Sequence, residues 1–177
     1  VAYVAQGQTY YVRIGGINGA PVNGIFNLEI EPYETIGDRP DLARPIVHEP
    51  MFGNLEGLTT TFGSVCAQSD MIDAWYRYEA PAHGLVRAST CDPGTQIDTT
   101  ISVFNSQVSQ LFACNDNTQC SYSGSEKAST AIWGAEAGQV FLIRVAGTPG
   151  ALGAFTLNVE PVADQASNTT CQGAFSA

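Results

Sequence analysis

Five cysteines are the residues of this chain whose spacing points most directly to chemistry. Cys114 and Cys120 bracket the polar stretch NDNTQ, which has no histidine beside it, whereas a zinc site would need more thiolates or histidines at ligand spacing. A disulfide across a turn explains this pair better, with Cys66 and Cys91 as the natural second pair, although four cysteines allow about three pairings. Disulfides persist in oxidising compartments, so the pattern predicts an exported protein. Cys171 is left over and is expected to pair outside this segment.

Loop carboxylates and amides are the next group that could do chemistry. Calcium binds carboxylate and carbonyl oxygens from loops, and the candidate ligands are Asp92, Asp98, Asn115 and Asp116. Aspartates at turns also accept hydrogen bonds from nearby backbone N–H groups, and we favour this interpretation over calcium. Asp70 and Asp73, which precede a predicted strand, are interpreted in the same way. A glycosidase would need two carboxylates at a fixed separation in a cleft, which the spacing does not indicate.

Nucleophilic catalysis lacks its usual partners in this sequence. A serine triad needs a histidine to accept the proton, and the chain has only His48, in a proline-rich stretch, and His83, in the predicted turn APAHG. Neither adjoins a Gly-x-Ser-x-Gly elbow, which the sequence does not contain. The glycine-rich GGINGAPVNG joins two predicted strands and opens no helix, so it is not a phosphate-binding loop. We therefore predict no enzymatic activity.

An arginine recurs within two apolar segments that are predicted strands. Arg13 in YYVRIGG and Arg144 in FLIRVAG could bind an acidic ligand, but an outer-face position or a pair with a carboxylate across the sheet is favoured. Four aromatic residues could stack on sugars but are expected to pack inside a sandwich instead: Trp75, Tyr76, Tyr78 and Trp133.

The composition limits the partners. Seventeen acidic and seven basic residues give a net charge of −10, so the chain lacks the basic face that nucleic acids or an anionic membrane surface require. No apolar stretch reaches membrane-spanning length. With 44% hydrophobic and 14% charged residues, the composition is that of a globular domain.

An internal repeat determines the predicted organisation. Residues 1–32 and 130–161 share the pattern GQ, R, G, GA and then G-x-F-x-L-x-x-EP, with a two-residue length difference. The chain therefore resembles a window from a tandem array, which is more often structural or adhesive than catalytic. A partial copy in residues 1–32 is followed by a proline-containing linker in residues 33–54. Residues 55–161 form a complete module, and residues 162–177 are a linker or the start of the next repeat.

Short strands separated by Gly, Pro, Asn and Asp fill the module, and no segment has sustained helical periodicity. The pattern predicts an all-β, jelly-roll-like antiparallel β-sandwich. Residues 140–145 and 154–159 are predicted to form an antiparallel hairpin, mirrored by residues 9–14 and 25–30. The predicted strands of the module are residues 58–62, 74–79, 85–90, 99–104, 109–113, 131–134, 140–146 and 154–159.

Five blocks follow in one order: DAWYRYEAPAHGLVRASTC, DTTISVF, LFACNDNTQC, AGQVFLIRVAG and GAFTLNVEP. Together they resemble the bacterial pre-peptidase C-terminal domain, in the cysteine-bearing variant found in tandem in large secreted bacterial proteins. The resemblance covers most of residues 55–161 and implies a jelly-roll-like sandwich, a secreted accessory role and no catalytic centre. Some relatives are removed on maturation, and others bind calcium or a substrate polymer. The family often has a double Asp after the Asn of the cysteine loop. This chain has Asn115-Asp116-Asn117, which weakens the expectation of calcium.

The expected function is that of a non-catalytic extracellular repeat, a structural or adhesive module of a large secreted or fibre-forming bacterial protein. No cofactor is expected, with calcium as the one candidate that the loop oxygens leave open, and the expected partners are neighbouring copies in a homopolymer or tandem array. The apolar face of the N-terminal hairpin cannot be left in water at low cost, so the expected assembly contacts are Phe26, Leu28, Ile30 and Cys171. The alternative is an accessory substrate- or calcium-binding domain of a secreted hydrolase.

Overall fold

The computed structural model of this chain contains two facing β-sheets. It describes residues 9–14, 28, 35–47, 50–63, 66–67, 69–120 and 127–162. The chain divides into two compact units, Val1–Glu34 and Thr35–Ala177, and the sheets belong to the second. A three-residue 3₁₀ helix, Pro40–Leu42, precedes them. The nine strands are β1 (Arg44–Pro45), β2 (Met51–Asn54), β3 (Asp73–Glu79), β4 (Gly84–Ser89), β5 (Thr99–Asn105), β6 (Leu111–Asp116), β7 (Thr130–Ala135), β8 (Val140–Gly147) and β9 (Ala154–Pro161).

The two sheets have the strand orders β1-β3-β8-β5-β6 and β2-β9-β4-β7. Among the described residues, every strand pairing is antiparallel except the short parallel contact between β1 and β3. Alternate side chains of both sheets fill a shared core, as in other sandwiches. The predicted all-β sandwich is therefore confirmed. Its central side chains include Met51, Tyr76, Val86, Ile101, Trp133, Ile143, Phe155 and Leu157.

Strand β8 is buried on both of its faces. Phe141, Ile143 and Val145 point into the core between the sheets, whereas Leu142 and Arg144 lie on the opposite, outer face. A nearly continuous apolar run is the pattern expected of a strand covered on both sides. Something other than the second sheet must therefore cover the outer face.

That cover is a segment we call the strap, residues 59–70, described except at 64, 65 and 68. Phe62 of the strap packs edge-on against Trp75 and Phe104, with ring centroids 6.1 and 5.3 Å apart. Together with Leu142 these rings form a second small apolar cluster on the outer face. The prediction of a strand at residues 58–62 was wrong, because β-branched residues and Phe62 serve here to cover an apolar face outside any ladder.

The predicted hairpin of residues 140–145 and 154–159 was also wrong. β8 pairs with β3 and β5 in one sheet, and β9 pairs with β2 and β4 in the other. The connection between them crosses from one sheet to the other, so the two strands lie in opposite sheets. Alternating apolar residues fit both a hairpin within one sheet and a pair of strands in opposite sheets, because both arrangements bury one face of each strand. Of the mirrored copy, residues 9–14 are exposed and form no strand, and residues 25–30 lie outside the described residues apart from Leu28.

The unit that contains the sheets begins earlier than predicted. Residues 33–54 were interpreted as a linker, but the compact unit starts at Thr35. Within these residues β1 hydrogen-bonds to β3, and β2 hydrogen-bonds to β9. Prolines suggested a connector. Pro45, however, lies on an edge strand, where a missing N–H costs no ladder bond.

Gly53 lies in β2 where this strand pairs with β9, and it gives a direct test of this packing. It lies opposite Phe155, and an added Cβ would collide with the Phe155 ring and the Tyr76 hydroxyl. We expect Gly53→Ala to lower the free energy of unfolding by about 2 kcal/mol through overpacking, which is a fall in Tm of about 6 °C. The control is Gly134→Ala, because a Cβ there meets nothing within 4 Å. Equal thermal stability of the two variants by circular dichroism would contradict this packing.

Candidate functional site

Arg144 forms the centre of a sealed ionic cluster beneath the strap. Its side chain and those of Asp70 and Asp73 are 0% exposed. Nη1 donates to Oδ2 of Asp70 at 2.5 Å and Nε to Oδ2 of Asp73 at 2.8 Å. Nη2 donates to the backbone carbonyl of Phe62 at 3.0 Å. The guanidinium thus joins β8, the start of β3 and the strap at one point.

Asp73 connects the same cluster to the strap backbone. Its carboxylate accepts hydrogen bonds from the N–H groups of Thr61 and Phe62 at 3.2 to 3.4 Å. It also accepts from the Thr61 hydroxyl at 2.7 Å and from Nε1 of Trp75 at 3.1 Å. Strand β3 begins at Asp73, and its carboxylate bonds free backbone donors, as expected of an aspartate at a strand entry. The donors, however, lie 11 and 12 residues earlier in the strap and not in a local turn. Asp70 differs from the expectation, because in the described residues it accepts from the side chains of Thr100 and Arg144.

The arrangement leaves Arg144 no means of binding an acidic ligand from solvent. All three of its side-chain nitrogens donate within the chain, and none is exposed. The expected pairing with a carboxylate is confirmed, although one of the two carboxylates comes from the strap. Arg13, its counterpart in the repeat, is exposed and lies outside any strand.

Surplus negative charge lies next to the cluster. Two aspartates face one arginine, and one oxygen each of Asp70, Asp98 and Asp116 is buried without a hydrogen-bond partner in the described residues. Asp116 lies opposite Thr100 at the end of β6, and the Thr100 hydroxyl donates to Asp70 at 3.0 Å. Burial raises the pKa of Asp116 above its ordinary value of 3.8, and the charges of Asp98 and Asp70 raise it further.

Asp116 should therefore destabilise the fold at neutral pH. A raised pKa means that the folded chain holds this proton more tightly than the unfolded chain, so stability falls as the pH rises through the folded-state pKa. We expect Asp116→Asn to raise Tm by about 1 to 3 °C at pH 7, and the gain to vanish as the pH falls below 3.8.

The matched control is Asp41→Asn. A hydrogen bond from Arg39 lowers the pKa of exposed Asp41, so this variant should show no gain at pH 7. Thermal scans between pH 3 and 7 measure both. A gain for Asp116→Asn that is independent of pH would refute the assignment.

The candidate calcium ligands are not brought together as a set. Oδ1 of Asp92 accepts the Gly94 N–H at 2.8 Å, which is turn chemistry. The side-chain oxygen of Asn115 accepts from the Thr118 hydroxyl and the Thr130 N–H at 2.7 and 3.0 Å. Within the described residues, no group of three or more His, Cys, Asp or Glu side chains is arranged to hold a metal ion. Asp98 and Asp116 alone keep unpartnered oxygens that suit calcium.

The cysteines pair differently from the prediction. Cys91 and Cys120 form a disulfide, with Cα atoms 5.5 Å apart, while Cys66 and Cys114 carry free thiols. The predicted pairs Cys114–Cys120 and Cys66–Cys91 were therefore wrong. Cys114 is held in the β5–β6 ladder opposite Ser102. The chain beyond β6 instead brings Cys120 to Cys91, two residues after the end of β4. Proximity in the fold outweighs proximity in sequence. Cys171 lies outside the described residues.

A groove of about 850 Å³ opens at the end of the sandwich where the β3–β4 and β7–β8 turns meet. His83 Nδ1 lies 2.9 Å from Oε2 of Glu136 at its rim, and both side chains are largely exposed. Within the described part of the chain, the lining contains no serine, threonine, cysteine or lysine, although Tyr78 and the Glu136 carboxylate belong to it. His48 lies outside the described residues.

The four aromatic residues are all buried, as expected for packing rather than sugar stacking: Trp75, Tyr76, Tyr78 and Trp133.

Comparisons with known proteins concern the fold. No protein-family model and no curated protein matches this chain. Among solved structures, the pre-peptidase C-terminal domain of a collagenase from Bacillus anthracis is similar, with 14% sequence identity and a TM-score of 0.46. The match covers 75% of this chain and 100% of that domain. It involves the family that the sequence blocks resemble, but at this TM-score the two-sheet architecture rests on the strand pairings described above.

Proposed function

We propose that this chain is a non-catalytic extracellular β-sandwich module, a structural or adhesive repeat of a large secreted or fibre-forming bacterial protein. The observation that carries the proposal is the sealed cluster of Arg144, Asp70 and Asp73. The fully buried charged side chains of the described residues hold the strap to the sheet, where no substrate can reach them. A catalytic site needs its charged groups in a cleft open to substrate.

Two further features support an extracellular location. The Cys91–Cys120 disulfide suits an oxidising compartment, and the net charge of −10 suits a soluble surface. Among the described residues, no helix is long and apolar enough to cross a membrane.

Absence of catalysis has a simple test. The intact chain, residues 1–177, is incubated with peptide, ester and glycoside substrates, and product is followed over time. We expect no turnover above the uncatalysed rate. Turnover that His83→Ala or Glu136→Gln abolishes would place an enzyme at the groove and would overturn the proposal.

Assembly with neighbouring copies is the partner proposal. It is supported by the repeated sequence of residues 1–32 and 130–161 and by Leu28, whose side chain is about half exposed. Phe26 and Ile30, which share its alternation, and Cys171 lie outside the described residues. An apolar segment of this kind would dock on a second copy and extend head to tail, because the contact is heterologous.

Sedimentation velocity over a concentration series compares residues 1–177 with residues 35–162, the described extent of the second unit. We expect the longer chain alone to self-associate, and Leu28→Asp to weaken the association. Two equally monomeric chains would reject the assembly role and leave the non-catalytic role intact.

A calcium-binding accessory domain of a secreted hydrolase is the second candidate. The observation in its favour is the pair of buried, unpartnered oxygens of Asp98 and Asp116. Binding would raise Tm in millimolar calcium, since a ligand of the folded state stabilises it by mass action. The Asp116→Asn variant should lose that rise. Equal calcium responses in both proteins, or none, would remove this candidate.

A further inference from the structure

The two free thiols of the described residues, Cys66 and Cys114, lie together. Cys114 is on β6 directly opposite Ser102 of β5, and Ser102 alternates with core-facing Ile101, so Cys114 faces outward toward the strap. Cys66 belongs to the strap, and its Sγ lies 3.9 Å from the Ile101 carbonyl oxygen on β5. The strap thus places the Cys66 thiol beside residues 101–102 of β5, and Cys114 lies opposite the same residues on β6.

We infer that Cys66 and Cys114 form an oxidisable pair, whose disulfide joins the strap to edge strand β6. The connectivity of the module would then be Cys66–Cys114 and Cys91–Cys120. The pairing is independent of the proposed role of the module, since it depends only on the strap and the β5–β6 ladder.

Accessibility and the chemical environment of the thiols support this pair. Cys66 is exposed and Cys114 is partly exposed, so an external oxidant can reach them. Cys66 is exposed as a whole residue, but its thiol lies partly against the sheet, and this partial burial raises the pKa of Cys66 to about 12. A hydrogen bond with Cys114 contributes to the rise. A protonated thiol reacts slowly, because the thiolate is the nucleophile, so closure should accelerate with rising pH.

The oxidation is balanced by an external disulfide. Each thiol loses its proton, the pair loses two electrons, and one S–S bond forms. The oxidant, a small disulfide or the disulfide of an exchange protein, accepts the electrons and protons and becomes two thiols. The reaction passes through a mixed disulfide with one of the two cysteines, which the other then attacks.

The function of such a bond follows from its position. Arg144 and Asp73 hold the first part of the strap on the outer face of the sheet. The Cys66–Cys114 bond would hold the later part on β6, at the edge of the same sheet. In an oxidising medium the strap would then be attached covalently to the sheet. In a reducing medium the ionic cluster would remain the principal attachment of the strap.

The test uses the full chain carrying Cys171→Ser, so that no fifth thiol competes. The protein is incubated with mixed oxidised and reduced glutathione at pH 8, alkylated with iodoacetamide and mapped by mass spectrometry without reduction. We expect a peptide pair joined at Cys66 and Cys114. Oxidation should raise Tm by about 5 to 10 °C relative to the Cys66→Ser variant.

Two matched variants complete the test. Cys66→Ser should leave Cys114 open to alkylation, and Cys114→Ser should leave Cys66 open, while Cys91–Cys120 stays closed in both. The inference is overturned if Cys66 and Cys114 are both fully alkylated in the parent protein while Cys91–Cys120 is closed, or if Cys66 is found bonded to Cys91 or Cys120. Far-ultraviolet circular dichroism establishes that each variant is folded.

Discussion

Replacing Arg144 by methionine is expected to lower the free energy of unfolding by about 4 kcal/mol. Methionine has a similar length but no charge, so Asp70 and Asp73 would remain buried without a cation, and removal of one partner from a buried ion pair costs about 3 to 5 kcal/mol. The Phe62 carbonyl would also lose its donor. Urea denaturation followed by tryptophan fluorescence measures the loss, because Trp75 packs in the same region.

The matched control for this variant is Arg87→Met. Arg87 pairs with Glu160 on the surface of the other sheet, and both side chains are 48% exposed. Exposed ion pairs contribute about 0 to 1 kcal/mol, so the control should change stability little. Adding Asp70→Asn to Arg144→Met should recover part of the loss by removing one uncompensated charge. Similar losses for Arg144→Met and Arg87→Met would contradict the structural role of the cluster.

Removal of the Cys91–Cys120 disulfide is the second change with a large expected effect. The bond spans 29 residues, and the loop-entropy relation gives roughly 3 to 4 kcal/mol of stabilisation for such a loop. The double variant Cys91→Ser/Cys120→Ser should therefore lose this amount in urea denaturation. Complete reduction of the wild-type protein by dithiothreitol should cause the same loss relative to protein in which only the Cys91–Cys120 bond is closed.

The control is the Cys114→Ser variant, because it removes a thiol without removing the Cys91–Cys120 disulfide. It is compared with the wild-type protein under conditions that leave Cys66 reduced. It should lose far less than the double variant. If the double variant is as stable as wild type, the Cys91–Cys120 bond does not constrain the fold in the way its span implies.

Local patterns predicted the strands well. Seven of the predicted segments correspond to β3 to β9, because period-two alternation and turn residues act within a few residues of each other. The same patterns could not assign partners. Residues 140–145 and 154–159 have the alternation of a hairpin, yet they lie in opposite sheets, since alternation specifies which face is buried and not which strand lies alongside.

The candidate site was predicted in part, and the missing part depended on distant contacts. Arg144 within an apolar strand suggested a carboxylate partner, and Asp70 and Asp73 were recognised as turn aspartates. Their joint contact depends on the strap, and the residues TTTF of the strap were taken for a strand because β-branched residues favour strands. One feature of the sequence could have indicated the strap. The β8 sequence VFLIRVAG lacks alternating polar residues, which indicates that both faces of this strand are covered.

Disulfide pairing failed for a related reason. The short separation of Cys114 and Cys120 favoured a local bond, but Cys114 is fixed in a ladder and Cys120 lies beyond it, beside the end of β4. Sequence separation gives the entropy of a loop, whereas pairing requires Cα atoms within about 7 Å in the folded chain. That distance is decided by strand order, which the sequence pattern left open.

The central claim is that the sealed Arg144 cluster attaches the strap to the sheet and is not a ligand site. Native-state hydrogen exchange of the strap amides tests this claim most directly. The N–H groups of Thr61 and Phe62 donate to Asp73, so we predict that they exchange at least about 100-fold more slowly than the amides of the exposed turn at residues 82–83. Arg144→Met should abolish that protection. Exchange of Thr61 and Phe62 as fast as the turn amides in the wild-type protein would show that the cluster does not hold the strap, and would contradict the account.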